Sequence, residues 1–204
     1  MGRPHDMLRT MIHPIDCFWE MKFEKKGSLL KAFGLTVLFF LVLLFDRQVR
    51  AFPFNAAYNT PLDFWREVRV FLVPVVLFCL GNWTITTLMD GKGTMRDIFT
   101  VLSYAFVPVI LIRVPTAIVS NVLTLNEATY LYLIDYAAVA WAGILLFVGI
   151  MTVHQYSFSK TVATLLLTVC SALIIAFVCL LLFSLLQELI GFIYSVYREI
   201  SLRI

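Results

Sequence analysis

The strongest constraint on this chain is the spacing of its apolar runs. Five stretches, each about 20 residues long or somewhat longer, follow one another with only short polar segments between them. An α-helix of about 20 residues spans the roughly 30 Å hydrocarbon core of a bilayer. We therefore predict five membrane-spanning helices, at about 28–45, 68–89, 97–121, 128–153 and 161–186.

The composition agrees with a chain that lies mostly in lipid. Hydrophobic residues make up 61% of it and charged residues only 14%, whereas soluble domains have roughly 45–50% and about 25%. We predict an all-α membrane protein, with a cytoplasmic leader at 1–27, a five-helix bundle at 28–187 and an amphipathic tail at 188–204. The net charge of +3 is too small and too scattered to indicate nucleic-acid binding.

The tightest turn joins the second and third predicted spans. Asp90, Gly91 and Gly93 are expected to supply the positive φ angles that a reversal within a few residues needs. Thr94 then caps the next helix, and Asp97 completes a capping box three residues later.

Two further helix starts are indicated by capping residues. Thr60 is predicted as the N-cap of the second span, with Asp63 three residues on. Thr124 and Glu127 have the same spacing before the fourth span. All three starts place polar residues where the chain leaves the bilayer.

Two charges fall inside predicted spans. Arg113 lies between Pro108 and Pro115, which are expected to kink the third span, and Asp135 lies in the first third of the fourth helix. In antiparallel neighbours the two charges reach similar depth, so we predict that they form an ion pair. The alternative is that Arg113 extends outward alone to the membrane surface.

Two segments outside the spans have amphipathic patterns. In the leader, Ile15, Phe18 and Trp19 share one helical face. That face either lies on the membrane surface or docks onto the membrane bundle of this protein or of a partner, and the sequence does not decide between them. The tail after Gln187 is expected to follow the interface, with an apolar face formed by Leu189, Ile190, Ile193, Val196, Tyr197 and Ile200.

The distribution of positive charge predicts the orientation. One side carries eight Lys and Arg residues outside the spans, and the other side carries five. The eight are Arg3, Arg9, Lys22, Lys25, Lys26, Lys92, Arg96 and Lys160, and the five are Arg47, Arg50, Arg66, Arg198 and Arg203. Because cytoplasmic loops carry the excess, the N-terminus is expected in the cytoplasm.

Several segments together resemble a known family. They are HPID in the leader, NWTITTLMDGKGT followed by FTVLSYAFVP, then SNVLTLNE, VHQYSFSKT and the closing FSLLQELIGFIYSVYREI. In order and spacing the chain is similar to the bacterial branch of the Yip1 domain family. The resemblance implies a five-span domain with a cytoplasmic N-terminus in a bacterial cytoplasmic membrane.

The same resemblance bears on activity. Eukaryotic relatives act in traffic between endoplasmic reticulum and Golgi and are linked to Rab-type GTPases, whereas bacterial members have no assigned biochemical activity. Only 27 residues precede the first predicted span, where eukaryotic relatives have a long cytoplasmic region. We therefore do not carry GTPase binding over to this chain.

A membrane scaffold or adaptor is the first functional hypothesis. Its partners would be the lipid bilayer and a membrane or cytoplasmic protein, and the sequence leaves open whether the chain also forms a homo-oligomer. Polar turn residues on the predicted cytoplasmic face are the candidate partner-binding set: Asn82, Asp90, Gly91, Lys92, Gly93, His154, Gln155 and Tyr156.

The alternative hypothesis is a transporter or channel, or an accessory subunit of a membrane transport system. Proline-broken spans and intramembrane charges are typical of solute paths. Enzymatic activity is not expected, because the spans contain no paired aspartates, no Ser with His and no HExxH motif. We expect no cofactor or metal either, since the four cysteines stand singly.

Overall fold

The computed structural model describes residues 5–24, 27–55 and 57–203, and these fold into eight α-helices and two short 3₁₀ turns. The α-helices are α1 (His5–Ile12), α2 (Pro14–Phe23), α3 (Leu29–Val49), α4 (Phe64–Leu88), α5 (Met95–Ala105), α6 (Val107–Val119), α7 (Ala128–His154) and α8 (Phe158–Arg203). The 3₁₀ turns are Phe52–Phe54 and Leu125–Glu127. Of the charges counted for orientation, Arg3, Lys25 and Lys26 lie outside the described residues, and so does the side chain of Arg203. The side chain of Ile200, from the predicted apolar face of the tail, also lies outside them.

Within the described residues, five helical segments are long and apolar enough to cross a membrane. They are α3, α4, the continuous pair of α5 and α6, the segment Leu125–His154 and the apolar part of α8. The prediction of an all-helical, five-helix membrane bundle is confirmed.

The bundle is centred on α5 and α6, which form its most buried segment. Helix α3 packs against α5 and α6 on one side, and α7 packs against the same two helices on the other. Helices α4 and α8 form a separate close pair. Ile98 and Val101 of α5 are buried with Ile150 of α7, and Phe39 of α3 stacks on Phe106 at 4.3 Å between ring centroids.

Two of the predicted helix starts are confirmed by their hydrogen bonds. The backbone N–H of Thr94 donates to Asp97 Oδ2 at 2.9 Å, and the N–H of Asp97 donates back to Thr94 Oγ1 at 3.4 Å. Thr124 and Glu127 form the same reciprocal box. Each box satisfies N–H groups that a helix start would otherwise leave unpaired.

The predicted start of the second span is wrong by a few residues. Asp63, not Thr60, is the N-cap of α4, because Asp63 Oδ1 accepts the backbone N–H groups of Trp65 and Arg66 at 3.0 and 3.2 Å. The Thr60 hydroxyl instead accepts from Arg47 Nη2 at 2.9 Å. A carboxylate one residue before the helix is the stronger acceptor for the first N–H groups.

The third span is broken at one of its two prolines. Helix α5 ends at Ala105 and α6 begins at Val107. Pro108 has no N–H to donate to the carbonyl of Tyr104, which interrupts the helical ladder. Pro115 lies inside α6, whose helix continues through it.

The leader docks onto the bundle of this chain, but only Phe18 of the predicted apolar face takes part, since Ile15 and Trp19 are 55% and 47% exposed. Phe18 of α2 is completely buried, and α2 packs against α7. Contact is close at Gly149, where an added Cβ would lie 3.2 Å from the Phe18 ring. Helix α1 is tied to α2 by an ion pair between Arg9 Nη2 and Glu20 Oε1 at 2.8 Å.

The predicted separate tail is part of α8, which continues for 46 residues to Arg203. At 1.5 Å per residue this helix is about 70 Å long, roughly twice what a span needs. Residues 177–199 are exposed on every side of the helix. No proline interrupts this segment, and Leu, Ala and Glu favour helix, so the helix continues without a break to Arg203.

Candidate functional site

The loops between α4 and α5 and between α7 and α8 lie together at the end of the bundle that carries α2. We call this the leader end, and we call residues 89–94 and 154–157 the paired turns. Lys92 Nζ donates to Gln155 Oε1 at 2.7 Å, and the Tyr156 hydroxyl donates to the Met89 carbonyl at 3.1 Å. The two loops therefore form one surface.

The positive φ angles fall only in part on the residues that the sequence predicts. Asp90 has φ 55° and Gln155 has φ 56°, whereas no described glycine has a positive φ. Asp tolerates the left-handed region because its short side chain bonds locally, and Gln155 ends α7 there. The prediction is right for Asp90 and wrong for Gly91 and Gly93.

The two glycines are required for space instead. A Cβ on Gly91 would lie 2.5 Å from His154 Nδ1 and 2.8 Å from the Thr86 carbonyl oxygen. One on Gly93 would lie 2.5 Å from His154 Cε1. Such distances are well inside van der Waals contact, so the backbone approaches the imidazole as closely as only glycine permits.

His154 is the centre of the paired turns. It is 1% exposed, it accepts a hydrogen bond from the Gly93 backbone N–H at Nδ1 (3.2 Å), and its ring stacks on Tyr156 with centroids 5.3 Å apart. Its Nε2 is buried without a hydrogen-bond partner among the described residues. The His154 side chain thus packs between the two loops and holds them together.

Lys22 fastens the leader to both turns. Its Nζ donates to the Lys92 carbonyl at 2.7 Å and to the Val153 carbonyl, and Asp97 Oδ2 is 4.0 Å away. Burial lowers the pKa of Lys22 from its usual value, and the nearby Asp97 opposes that shift. Three separate segments are therefore held by one ammonium group.

Of the predicted partner-binding residues, seven are brought together and one is not. Asp90 to Gly93 and His154 to Tyr156 all belong to the paired turns. Asn82 is fully buried between α4 and α8, where its Nδ2 donates to Thr168 Oγ1 at 3.0 Å. Asn82 is thus a helix-pairing residue, and the exposed members of the set are Asp90, Lys92 and Gln155.

A second polar cluster lies at the opposite end of the bundle, which we call the distal end. Arg113 Nη1 donates to Asp46 Oδ2 at 2.7 Å, and Arg50 Nε donates to Asp46 Oδ1 at 2.8 Å. Arg50 Nη1 also donates to Asp135 Oδ2 at 2.8 Å. The predicted direct pair of Arg113 and Asp135 is wrong, because Asp46 and Arg50 stand between them in one chain of charges.

The sequence argument missed Asp46 and Arg50 because it ended the first span at Phe45. Helix α3 continues to Val49, so that it contains Asp46, and Arg50 follows as its C-cap residue. The only available signal was their i, i+4 spacing, which allows an ion pair on one helix face. The Thr116 hydroxyl completes the network by donating to Asp135 Oδ1 at 3.1 Å.

The network forms one wall of a cavity of about 550 Å³, which we call the distal cavity. A further ion pair, between Arg47 and Glu67, also lines this cavity. The remaining lining residues are Leu43, Phe54, Asn55, Ala57, Tyr132, Tyr136 and Val139. In the part of the chain that the structure describes, no group of three or more His, Cys, Asp or Glu side chains is placed to hold a metal ion.

Comparison with known proteins gives one match. The family model described as the Yip1 domain matches residues 8–181, a range that includes both the paired turns and the distal cavity. No curated protein and no solved structure matches the chain.

Proposed function

The chain belongs to the Yip1 domain family, and from this premise we propose that it is a non-enzymatic membrane scaffold or adaptor that binds a protein partner through the paired turns. Its five apolar helices make it a membrane protein. The observation that carries the proposal is that Lys22 and His154 hold three segments in one fixed surface. A surface ordered before binding loses little conformational entropy when a partner docks.

The exposed groups of this surface suit a polar partner. Asp90 offers a carboxylate, Lys92 an ammonium and Gln155 an amide, within one small area. Charged groups arranged in this way select a partner by complementarity more than by hydrophobic burial. Arg96 and Lys160 add positive charge beside it.

We place this surface in the cytoplasm of a bacterial cell, with the protein in the cytoplasmic membrane. Lys22, Lys92, Arg96 and Lys160 all lie at the leader end, and the excess of Lys and Arg is retained on the cytoplasmic side. This orientation presents the paired turns to membrane and cytoplasmic proteins alike.

The test is a comparison of two charge-removing double variants after mild crosslinking in the native membrane. Asp90→Asn with Lys92→Gln changes the surface, and Asn is chosen because it tolerates the left-handed backbone at that position. Glu188→Gln with Arg198→Gln removes the same two charges from exposed positions on α8. Gly91→Ala is unsuitable, since its Cβ would disrupt the turn itself.

We expect mass spectrometry to recover a defined partner with wild type and with the α8 variant, and at least about tenfold less of it with the turn variant. Equal recovery from all three proteins would show that the partner binds elsewhere. Recovery of no partner from wild type would remove the adaptor proposal. Thermal unfolding of each purified variant establishes that the fold is retained.

An accessory role in transport is the second candidate, because the distal cavity is lined by paired charges. If the protein contributes to a solute path, removal of Asp135 should change flux through vesicles that contain the protein and its partner. The turn variant would leave that flux unchanged once the complex has assembled.

A further inference from the structure

We propose that the distal cavity binds the headgroup of a zwitterionic phospholipid, whose acyl chain lies in the apolar cavity beside it. This site lies at the other end of the bundle from the paired turns, and its test does not depend on the adaptor function. The ligand class follows from the charge balance, the aromatic wall and the adjoining groove.

The charges in the cavity wall balance. Three arginines face three carboxylates: Arg47, Arg50 and Arg113, and Asp46, Glu67 and Asp135. A ligand with net charge would leave this balance uncompensated in a partly buried site, which is costly. A ligand that carries one positive and one negative group adds no net charge to the site.

Arg113 is placed for the phosphate. Its Nη1 bonds to Asp46, its side chain remains 27% exposed in the cavity wall, and its Nη2 makes no hydrogen bond to the described residues and is not buried. The guanidinium therefore has donor capacity that the described protein does not use. Guanidinium groups bind phosphate oxygens with paired, charge-assisted hydrogen bonds.

An aromatic wall is placed for the ammonium group. Tyr132 and Tyr136 lie one turn apart on α7 with Asp135 between them, and Phe54 contacts Tyr132 with ring centroids 6.5 Å apart. Aromatic faces next to a carboxylate attract ammonium and quaternary ammonium groups. The two ends of the headgroup would thus meet different side chains of the same cavity, Arg113 at the phosphate and the tyrosines at the ammonium group.

A second cavity indicates that the ligand is a lipid. It has a volume of about 270 Å³, it is lined mainly by apolar side chains of α3 and α4, and it shares Leu43 and Glu67 with the distal cavity. Val70 in its wall is 64% exposed, so the groove opens on the outer surface of the bundle. Trp65 is exposed closer to the start of α4, at the depth where aromatic residues mark the membrane interface.

The test measures lipid binding to the purified full-length protein in detergent by native mass spectrometry. The probes are a phosphatidylethanolamine, a phosphatidylglycerol with the same acyl chains, and soluble glycerophosphoethanolamine, which has the same zwitterionic phosphodiester headgroup without acyl chains. Arg113→Gln removes the phosphate contact, and Arg66→Gln is its control, because Arg66 is exposed at the same end but does not line the cavity. Val70→Trp fills the apolar groove, and Val73→Trp is its control, because Val73 is also exposed on α4 but does not line the groove.

We expect phosphatidylethanolamine to bind wild type at least about tenfold more tightly than either other probe, and Arg113→Gln to weaken it roughly tenfold or more. Val70→Trp should weaken binding of the lipid but not of glycerophosphoethanolamine, and both control variants should bind as wild type does. Equal affinity for the two lipids would overturn the zwitterion assignment, and equal affinity for the soluble headgroup would overturn the lipid assignment. If Arg113→Gln does not fold, the comparison of Val70→Trp with Val73→Trp tests the proposal. Lipid binding that is unchanged in Val70→Trp would then refute it.

Discussion

Replacement of Gly93 by alanine should loosen the paired turns by a predictable amount. The added Cβ would lie 2.5 Å from His154 Cε1, 2.7 Å from His154 Nε2 and 2.8 Å from Val153 Cγ1. Overpacking of this kind costs about 1–3 kcal/mol. Loss of backbone freedom in the unfolded chain returns about 0.4–1 kcal/mol, so we expect a net destabilisation of about 1–2 kcal/mol.

A double-mutant cycle isolates the contact that causes this loss. His154→Ala alone removes a buried ring and its hydrogen bond to the Gly93 N–H, and we expect it to cost about 2–4 kcal/mol. In that background the Cβ added by Gly93→Ala would no longer meet an imidazole. Gly93→Ala should then cost less, because only its contact with Val153 Cγ1 at 2.8 Å remains, and we expect a coupling energy of about 1 kcal/mol.

The assay is reversible unfolding in detergent, followed by far-ultraviolet circular dichroism, on wild type, the two single variants and the double variant. Gly34→Ala is the control, because no described atom lies within 4 Å of the position its Cβ would take. The reasoning is refuted if Gly93→Ala costs less than about 0.5 kcal/mol, or if it costs the same with and without His154.

Further predictions concern the bundle core, the distal network and the orientation. Gly149→Ala should destabilise the protein by about 1–2 kcal/mol, because its Cβ would press on α5 and the leader. Gly143→Ala on the same helix should not destabilise it, because its Cβ would meet no described atom within 4 Å. The melting temperatures of the two variants test this. Asp135→Asn should cost about 3–5 kcal/mol because it leaves the buried Arg50 with one carboxylate fewer, and adding Arg50→Gln should recover part of that loss in the same unfolding assay. Gln155→Cys, which is exposed at the leader end, should react with a membrane-impermeant maleimide only after the cells are opened; labelling of intact cells would reverse the orientation.

The features that the sequence predicts correctly are those that depend on local or averaged properties. Hydrophobic length alone defines five apolar helices, and a capping box is complete within four residues, as at Thr94 and Asp97. The close association of Asp90 to Gly93 with His154 to Tyr156 follows from both loops lying at the same end of an antiparallel bundle.

Apart from helix ends such as the start of α4 at Asp63, the features that it misses depend on contacts between distant segments. Asp46, the partner of Arg113, lies 67 residues before it in the chain, and no local spacing specifies this pairing. The role of Gly93 is set by His154, which lies 61 residues further along the chain. A glycine in a turn predicts positive φ by default, but here the approach of a buried ring accounts for it.

The two ends of the bundle follow the same physical rule, and this explains where function can be placed. Lipid offers no hydrogen bonds, so polar groups within it must find partners on neighbouring helices. Asn82 meets that rule at Nδ2, which donates to Thr168 between α4 and α8, while its Oδ1 is buried without a hydrogen-bond partner among the described residues. Arg113 satisfies it only in part, and the exposed groups of Lys92 and Gln155 retain further bonding capacity. Binding capacity is therefore concentrated at the two membrane interfaces, where protein and solvent share the polar groups.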